Sequence, residues 1–328
     1  MHKLIVLGSA RMDAFLQLPI TAGERFCRLD TKDCYLALTY AAKIPLQGVE
    51  FLVGGNGANV AVGATRLGVP SLLVAEIGDG VMTPLVWEKL AQEIKMDKVT
   101  KTPGVPQGFG AVITYQGERT ILSYYPPFRP QFPKDLEPTQ WAYLTSVGEN
   151  FEEFCSEALH WVIANNVHLA FNPSGRQLSK GISWLSPYLK QTQVLFVNRE
   201  EAQDLVGEKD THGKEKELLG EVAGFGSKMV VITDGENGAY GFYKDRYYRA
   251  GVLPVNAYER TGAGDAFSTG CLAALIEGKG MDEALLWGTI NSASVIGHVG
   301  SQKGLLKKEE LPTWLERAKS SGVTVGEF

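Results

Sequence analysis

The chain has 328 residues, 44% of them hydrophobic and 21% charged, with a net charge of −5. That length suits two domains or one large α/β domain carrying an insertion, and the composition excludes both a small cross-linked scaffold and a mainly disordered chain. A mildly acidic balance exerts no global pull on phosphate backbones or anionic lipid, so neither nucleic acid nor membrane is expected as a partner.

At the N-terminus, Met1-His2-Lys3 is followed by the short apolar run Leu4–Leu7. No stretch approaches the roughly 20 apolar residues of a membrane span, so a cytoplasmic protein is expected. Leu4–Leu7 ends in Gly8-Ser9, as a parallel strand buried on both faces would. Similar runs at Ser71–Ala75, His168–Phe171, Val194–Val197 and Met229–Ile232 are separated by segments of helical periodicity. The alternation predicts a three-layer α/β fold with a mainly parallel sheet and helices on both faces.

Two stretches break that rhythm. Apolar and polar residues roughly alternate from Cys34 to Leu46, and again in Ala111–Tyr115 and Arg119–Tyr124 across Gln116-Gly117-Glu118. They predict antiparallel strands forming a β lid at residues 16–51 and 108–126, outside a core of residues 1–15, 52–107 and 127–328. Such strands could also pair with a second subunit, giving a homodimer through the lid. Prolines 126, 127, 130 and 133 mark the return to the core. Gly207–Lys216 reads as a polar loop leading into a helix and Ser320–Phe328 as a tail of little consequence. Cys27, Cys34, Cys155 and Cys271 form no C-x-x-C pair and read as reduced, mostly core thiols.

The strongest chemical signal is Thr261-Gly262-Ala263-Gly264-Asp265, a glycine turn ahead of Phe267, Cys271, Leu272, Leu275 and Ile276 at helical spacing. Unsatisfied N–H groups and the positive end of the helix dipole converge on such a turn. Small residues let an anion approach closely, which suits a phosphoryl group gaining charge in a transition state. Asp265 is either a plain helix-start carboxylate or the base that takes a proton from an attacking hydroxyl. A second bare turn, Gly54-Gly55-Asn56-Gly57, opens the helical stripe Val60, Ala61, Ala64 and Leu67. The amides of Asn56 and Asn59 either cap that turn or serve a hydroxyl-rich neutral ligand, since they bond either sense of an O–H dipole. Together the two turns favour the base assignment for Asp265. No P-loop, G-x-G-x-x-G, H-E-x-x-H or G-x-S-x-G pattern offers a competing chemistry.

G-G-N-x-A-N-V-A-x-x-x-x-R-L-G near residue 55, followed by T-G-A-G-D-A-F near residue 265, resembles the paired signatures of the ribokinase-like (PfkB) family of carbohydrate kinases. The resemblance covers essentially the whole chain. It implies an ATP-dependent phosphotransferase that moves the γ-phosphoryl group to a sugar hydroxyl, with Mg2+ as cofactor. Asp13 in Gly8-Ser-Ala-Arg-Met-Asp13 then binds sugar hydroxyls beside Gly54, Gly55, Asn56 and Asn59, with Glu149 as a further acidic contact or a mere helix cap. Asn198-Arg-Glu-Glu201 matches the family's N-x-x-E motif: Asn198 falls on the nucleotide side and Glu201 places magnesium through water. As residues alone, this tetrapeptide is a helix start. Thr233-Asp-Gly235-Glu-Asn-Gly238 is similar to the loop beside the nucleotide, or is a strand-to-strand turn. Thr261 joins the nucleotide side by the same likeness, and Asn291 opens a segment, to Gln302, that looks like the family's closure over adenine. The chain departs from the family where Glu259-Arg260 replaces Asp-Thr, which calls activation by a monovalent cation into question. A nucleoside kinase is the alternative, with Phe26, Tyr35 and Tyr40 available to stack on a base. A non-catalytic ligand-binding relative is the third reading.

Overall fold

Alternation along one short strand sets the middle of the molecule. In Leu4–Leu7 (β1), Leu4 and Val6 belong to one hydrophobic core and Ile5 and Leu7 to another, so the strand must be covered on both faces. The computed structural model of the chain describes residues 2–28, 34–116 and 118–328. In chain order the next strands are β2 (Arg11–Gln17), β3 (Gly23–Cys27), β4 (Cys34–Leu38), β5 (Gly48–Gly54), β6 (Ser71–Ile77), β7 (Val99–Lys101) and β8 (Phe109–Tyr115). They continue as β9 (Glu118–Tyr124), β10 (Trp141–Leu144), β11 (His168–Phe171), β12 (Thr192–Asn198) and β13 (Met229–Thr233). Last come β14 (Ala239–Tyr243), β15 (Arg246–Ala250) and β16 (Val325–Glu327).

The helices are α1 (Asn56–Arg66), α2 (Thr83–Ala91), α3 (Glu152–Ala164), α4 (Gly175–Leu178) and α5 (Ile182–Gln191). They continue as α6 (Arg199–Val206), α7 (Glu215–Gly224), α8 (Ala263–Ile276), α9 (Met281–Ile296) and α10 (Leu311–Ser320). A ten-stranded sheet runs β16-β15-β14-β13-β12-β11-β10-β1-β6-β7. It is parallel from β7 to β13 and antiparallel beyond. One core packs α1, α8 and α9 on one face, and the other packs α3, α5 and α7 on the opposite face. This is the three-layer α/β arrangement expected, with its mainly parallel sheet.

A second sheet of four strands, β5-β2-β8-β9, and the hairpin β3-β4 stand outside this body. The lid sheet begins at Arg11 and ends its β5 strand at Gly54, so its root reaches further into the chain than the 16–51 boundary expected from alternation. Two other expectations are corrected. The tail is not idle, because β16 pairs antiparallel with β15 and forms the sheet's edge strand. Cys27 and Cys34 are not free thiols: they form a disulfide across the β3-β4 pair, with Cα atoms 4.0 Å apart. Cys155 and Cys271 are buried and free. No helix among the described residues is long and apolar enough to cross a membrane.

Candidate active site

Strand order reverses at β1, which has β6 on one side and β10 on the other, and in such sheets ligands bind beyond the carboxyl ends of the strands. Both glycine turns stand there. Helix α1 starts after Gly55, whose φ of 98° is open to glycine, and a Cβ on Gly55 would lie 2.6 Å from Ser9 O. Gly57 packs as closely on Gly8. Helix α8 starts after Gly262 (φ 79°), while a Cβ on Gly264 would meet only open space. Gly262, Ala263, Gly264 and Asp265 line a cavity of about 230 Å³ together with Asn56, Asn198, Glu201, Thr233, Arg119 and Arg260. Backbone amides at the head of a helix and open space before them make an anion site.

Asp265 is buried in the first turn of α8. Its Oδ1 accepts from Asn56 Nδ2 at 3.0 Å and its Oδ2 from Asn59 Nδ2 at 2.7 Å. Asn59 is oriented in turn, because its Oδ1 accepts from Ser301 Oγ (2.8 Å) and Gln302 Nε2 (3.1 Å). Burial pushes the Asp265 carboxyl above the ordinary range, and the two amide donors with the Arg11 charge pull it partly back. A carboxylate held ready in this way at an anion site can take up a proton.

Asp13 lies on β2, wedged between glycines of the neighbouring strands. A Cβ at Gly54 would come 2.1 Å from its Oδ2, and one at Gly110 would come 2.3 Å from its Oδ1. Burial raises its carboxyl to about 6 against the pull of Arg11. Arg11 Nε stands 2.8 Å from Asp13 Oδ1, but the N–H is not aimed along the contact, and among the described residues neither atom has a hydrogen-bond partner.

On the opposite side of the anion turn, Asn198 and Glu201 cap α6 reciprocally. Asn198 Oδ1 accepts from Glu201 N (2.8 Å) and Asn198 N donates to Glu201 Oε2 (2.9 Å). Both also line the cavity, so the helix-start reading holds locally without removing them from the site. Burial raises the Glu201 carboxyl. Thr233 ends β13 on the cavity wall. Gly235 (φ 51°) and Gly238 (φ 93°) shape the turn into β14, and Asp234 within it pairs with buried Arg199 at 2.8 Å.

Some expected site residues stand elsewhere. Glu149 is exposed and paired with Arg176 at 2.8 Å. Asn291 is 0% exposed; its Nδ2 donates to Ala266 O (2.7 Å) and its Oδ1 accepts from Leu306 N (3.0 Å), leaving no group to face adenine. Phe26 and Tyr35 stack on each other across the hairpin at 5.3 Å, and Tyr40 is 97% exposed, so none of the three lines a base site. Arg260 turns to Glu236, and the guanidinium beside Glu259 belongs instead to Arg119 of the lid, at 3.6 Å. Glu259 Oε1 accepts from Thr261 N at 2.7 Å, fixing the entry to the anion turn, while Thr261 Oγ1 is buried without a hydrogen-bond partner.

Sequence reading missed Arg11, Arg119, Ser301 and Gln302. The last two sit in Val299-Gly-Ser-Gln302, which was noticed but assigned to adenine. Gly8-Ser9 at the end of the first apolar run hides the start of β2, and with it Arg11. Between lid and core a further cleft of about 450 Å³ is lined by Phe15, Gln17, Glu50, Tyr115, Tyr258 and Glu259, among others. At its margin Glu50 of the lid pairs with Lys303 of the core.

The model of the pfkB family carbohydrate kinases matches residues 29–308. The "Uncharacterized sugar kinase YegV" of Escherichia coli (strain K12) is 25% identical over 286 residues, 85% of this chain and 88% of that protein. The structure of Arabidopsis thaliana ribokinase complexed with ribose and ATP aligns with a TM-score of 0.78 at 19% identity, over 96% of this chain and 99% of that one. Burkholderia thailandensis nucleoside kinase in complex with inosine aligns with a TM-score of 0.76 at 16% identity, over 97% and 99%. With paired glycine turns meeting at Asp265, the ribokinase fold and a family match spanning both, the chain belongs to the pfkB family of carbohydrate kinases.

Proposed function

We propose that the chain moves the γ-phosphoryl group of ATP to a hydroxyl of a sugar, with Asp265 as the base. The observation that carries this is the junction of the two turns: Asp265 heads the anion-binding helix and is held by Asn56 and Asn59 of the other turn. The acceptor hydroxyl would lie against Asp265, with Asp13, Gly54, Gly55, Asn56 and Asn59 around the sugar. As its oxygen forms a bond to phosphorus, its proton passes to Asp265, while the amides of Ala263, Gly264 and Asp265 face the charge growing on the phosphoryl oxygens. The leaving ADP would lie along Asn198, Thr233 and Thr261, near the turn that holds Gly235 and Gly238.

Mg2+ fits the cavity wall, because Glu201 faces it with a carboxyl whose charge is disfavoured by burial, a state that a cation reverses. Glu201 would hold the ion through water, and the ion would neutralise phosphate charge when bound. The Arg119 guanidinium near Glu259 puts a positive charge there, which supports a reaction independent of monovalent cations. Exposed Val49, Phe51, Leu122 and Tyr124 on β5 and β9 support a homodimer through the lid. The cleft of about 450 Å³ beneath the lid, with Phe15 and Tyr258 on its walls, favours a second reading in which the acceptor is a nucleoside.

The test is ADP release with ribose, fructose, 2-keto-3-deoxygluconate, adenosine, inosine and cytidine. Asp265→Asn is expected to lower turnover by roughly 10²-fold or more while acceptor binding largely survives. Full turnover in that variant removes Asp265 from its role.

A further inference from the structure

The inner face of the lid carries a charge that a neutral sugar does not call for. Side chains alternate along a strand, so Arg11, Asp13, Phe15 and Gln17 of β2 share one face, and the register sets Gly110 of β8 and then Ser123 of β9 beside Asp13. Arg11 lies along this face, since a Cβ added to Gly110 would stand 3.5 Å from its Cζ. Gly110, having no side chain, gives guanidinium and carboxylate a common floor.

A guanidinium has five N–H donors. Among the described residues Arg11 makes one hydrogen bond, a long one of 3.4 Å from Nη1 to Ser123 Oγ, and its Nε–H is not aimed at Asp13. The side chain is 19% exposed, so the donors are not sealed inside the lid. Asp13 and Asn56 already supply what hydroxyls need. A cation beside them, with donors left over, is matched by an anion that chelates it through two oxygens.

Resting on the phosphotransfer reading above, we infer that the acceptor is an acidic sugar derivative whose carboxylate or phosphate is gripped by Arg11 while Asp13 takes a neighbouring hydroxyl. Arg11 Nε stands 2.8 Å from Asp13 Oδ1, so the acid group and the hydroxyl they take lie close together on the ligand. Neutralising Asp13 is the competing role for Arg11, and it makes no distinction between acidic and neutral acceptors.

The experiment compares kcat/KM of the full chain on matched pairs, a sugar against its onic acid and a sugar against its phosphate ester, for the unaltered protein, Arg11→Gln and Arg11→Lys. The unaltered chain is expected to prefer one acid form by about 10- to 100-fold, the range for a hydrogen bond to a charged group. Arg11→Gln should collapse that ratio and Arg11→Lys should restore part of it. The preferred arm identifies carboxylate or phosphate. Thermal stabilisation by each compound reads binding without turnover and shows whether the variants fold. Phosphorylation of neutral sugars without preference, or an equal loss on both members of a pair in Arg11→Gln, overturns this inference and leaves the kinase reading standing. No transfer to any compound, with no stabilisation by any acid, overturns both.

Discussion

Asn59 and Asp265, 206 residues apart in the chain, meet across 2.7 Å and so join the head of α1 to the head of α8. The contact also tunes the carboxyl proposed as the base. Asn59 donates to the ionised carboxyl and pulls it down against burial, so Asn59→Ala should leave the carboxyl higher still. As the proposed base Asp265 would act ionised, and activity would be lost as pH falls through its pKa. The acid limb of the kcat profile should therefore move to higher pH, with turnover lowered about tenfold or more at neutral pH. An acid limb that stays in place would separate Asn59 from the base.

Asp13 makes a prediction about stability. Its carboxyl rises from 3.8 to about 6 in the folded chain, chiefly through burial. The folded state then holds the proton more tightly than the unfolded one, so stability falls as pH rises from about 4 to about 6 and stays lower above that window. At roughly 1.4 kcal/mol per unit, the ionised side chain costs up to about 3 kcal/mol. Asp13→Asn should raise the melting temperature more at pH 8 than at pH 4, with part of the gain offset by Arg11 losing its partner. It should also raise the acceptor KM. A melting temperature equally changed at both pH values would show that Asp13 titrates normally.

Gly110 tests the wedge around that carboxyl. In Gly110→Ala the new methyl would meet Asp13 Oδ1 at 2.3 Å, and shifting a packed neighbour costs about 1–3 kcal/mol. The acceptor KM should rise at least about tenfold while the KM for ATP holds, because Asn198 and Thr233 stand on strands of the other sheet. An unchanged acceptor KM would place the sugar away from β2.

The β3-β4 hairpin tests the disulfide. Two strands alone are marginal in water, and this pair is tied by Cys27–Cys34, the Phe26–Tyr35 stack and the bonds from Tyr115 Oη to Ile20 O and Gly23 O at its base. Reduction should speed amide exchange in residues 23–27 and 34–38 and leave the sheet around β1 protected. Global loss of protection would show that the hairpin supports the core.

How far the fold could be read depended on how many faces an element buries. Strand β1 and its parallel neighbours were legible because burial on both faces leaves an unbroken apolar run. Strand β16 was not, since Val325-Gly-Glu327 meets only β15 at an edge and carries no such pattern. The heads of α1 and α8 were legible from their glycines. Asn291 was misread because a buried amide that braces two backbones looks, in sequence, like one that reads a ligand. The cysteine pair escaped notice because Cys27 and Cys34 are brought together by the strand pairing, which sequence spacing alone does not show.

Only Gly8, Ser9 and Ala10 link β1 to β2, and this short link is clamped: Ala58 N donates to Ser9 O at 3.0 Å, and Gly55 and Gly57 press against Ser9 and Gly8. A cover anchored so firmly has no pivot at its root. Any swing must bend the strands beyond Asp13, so the Asp13 carboxyl should keep its station whether the cover is raised or lowered, and a visiting molecule would meet a socket already formed.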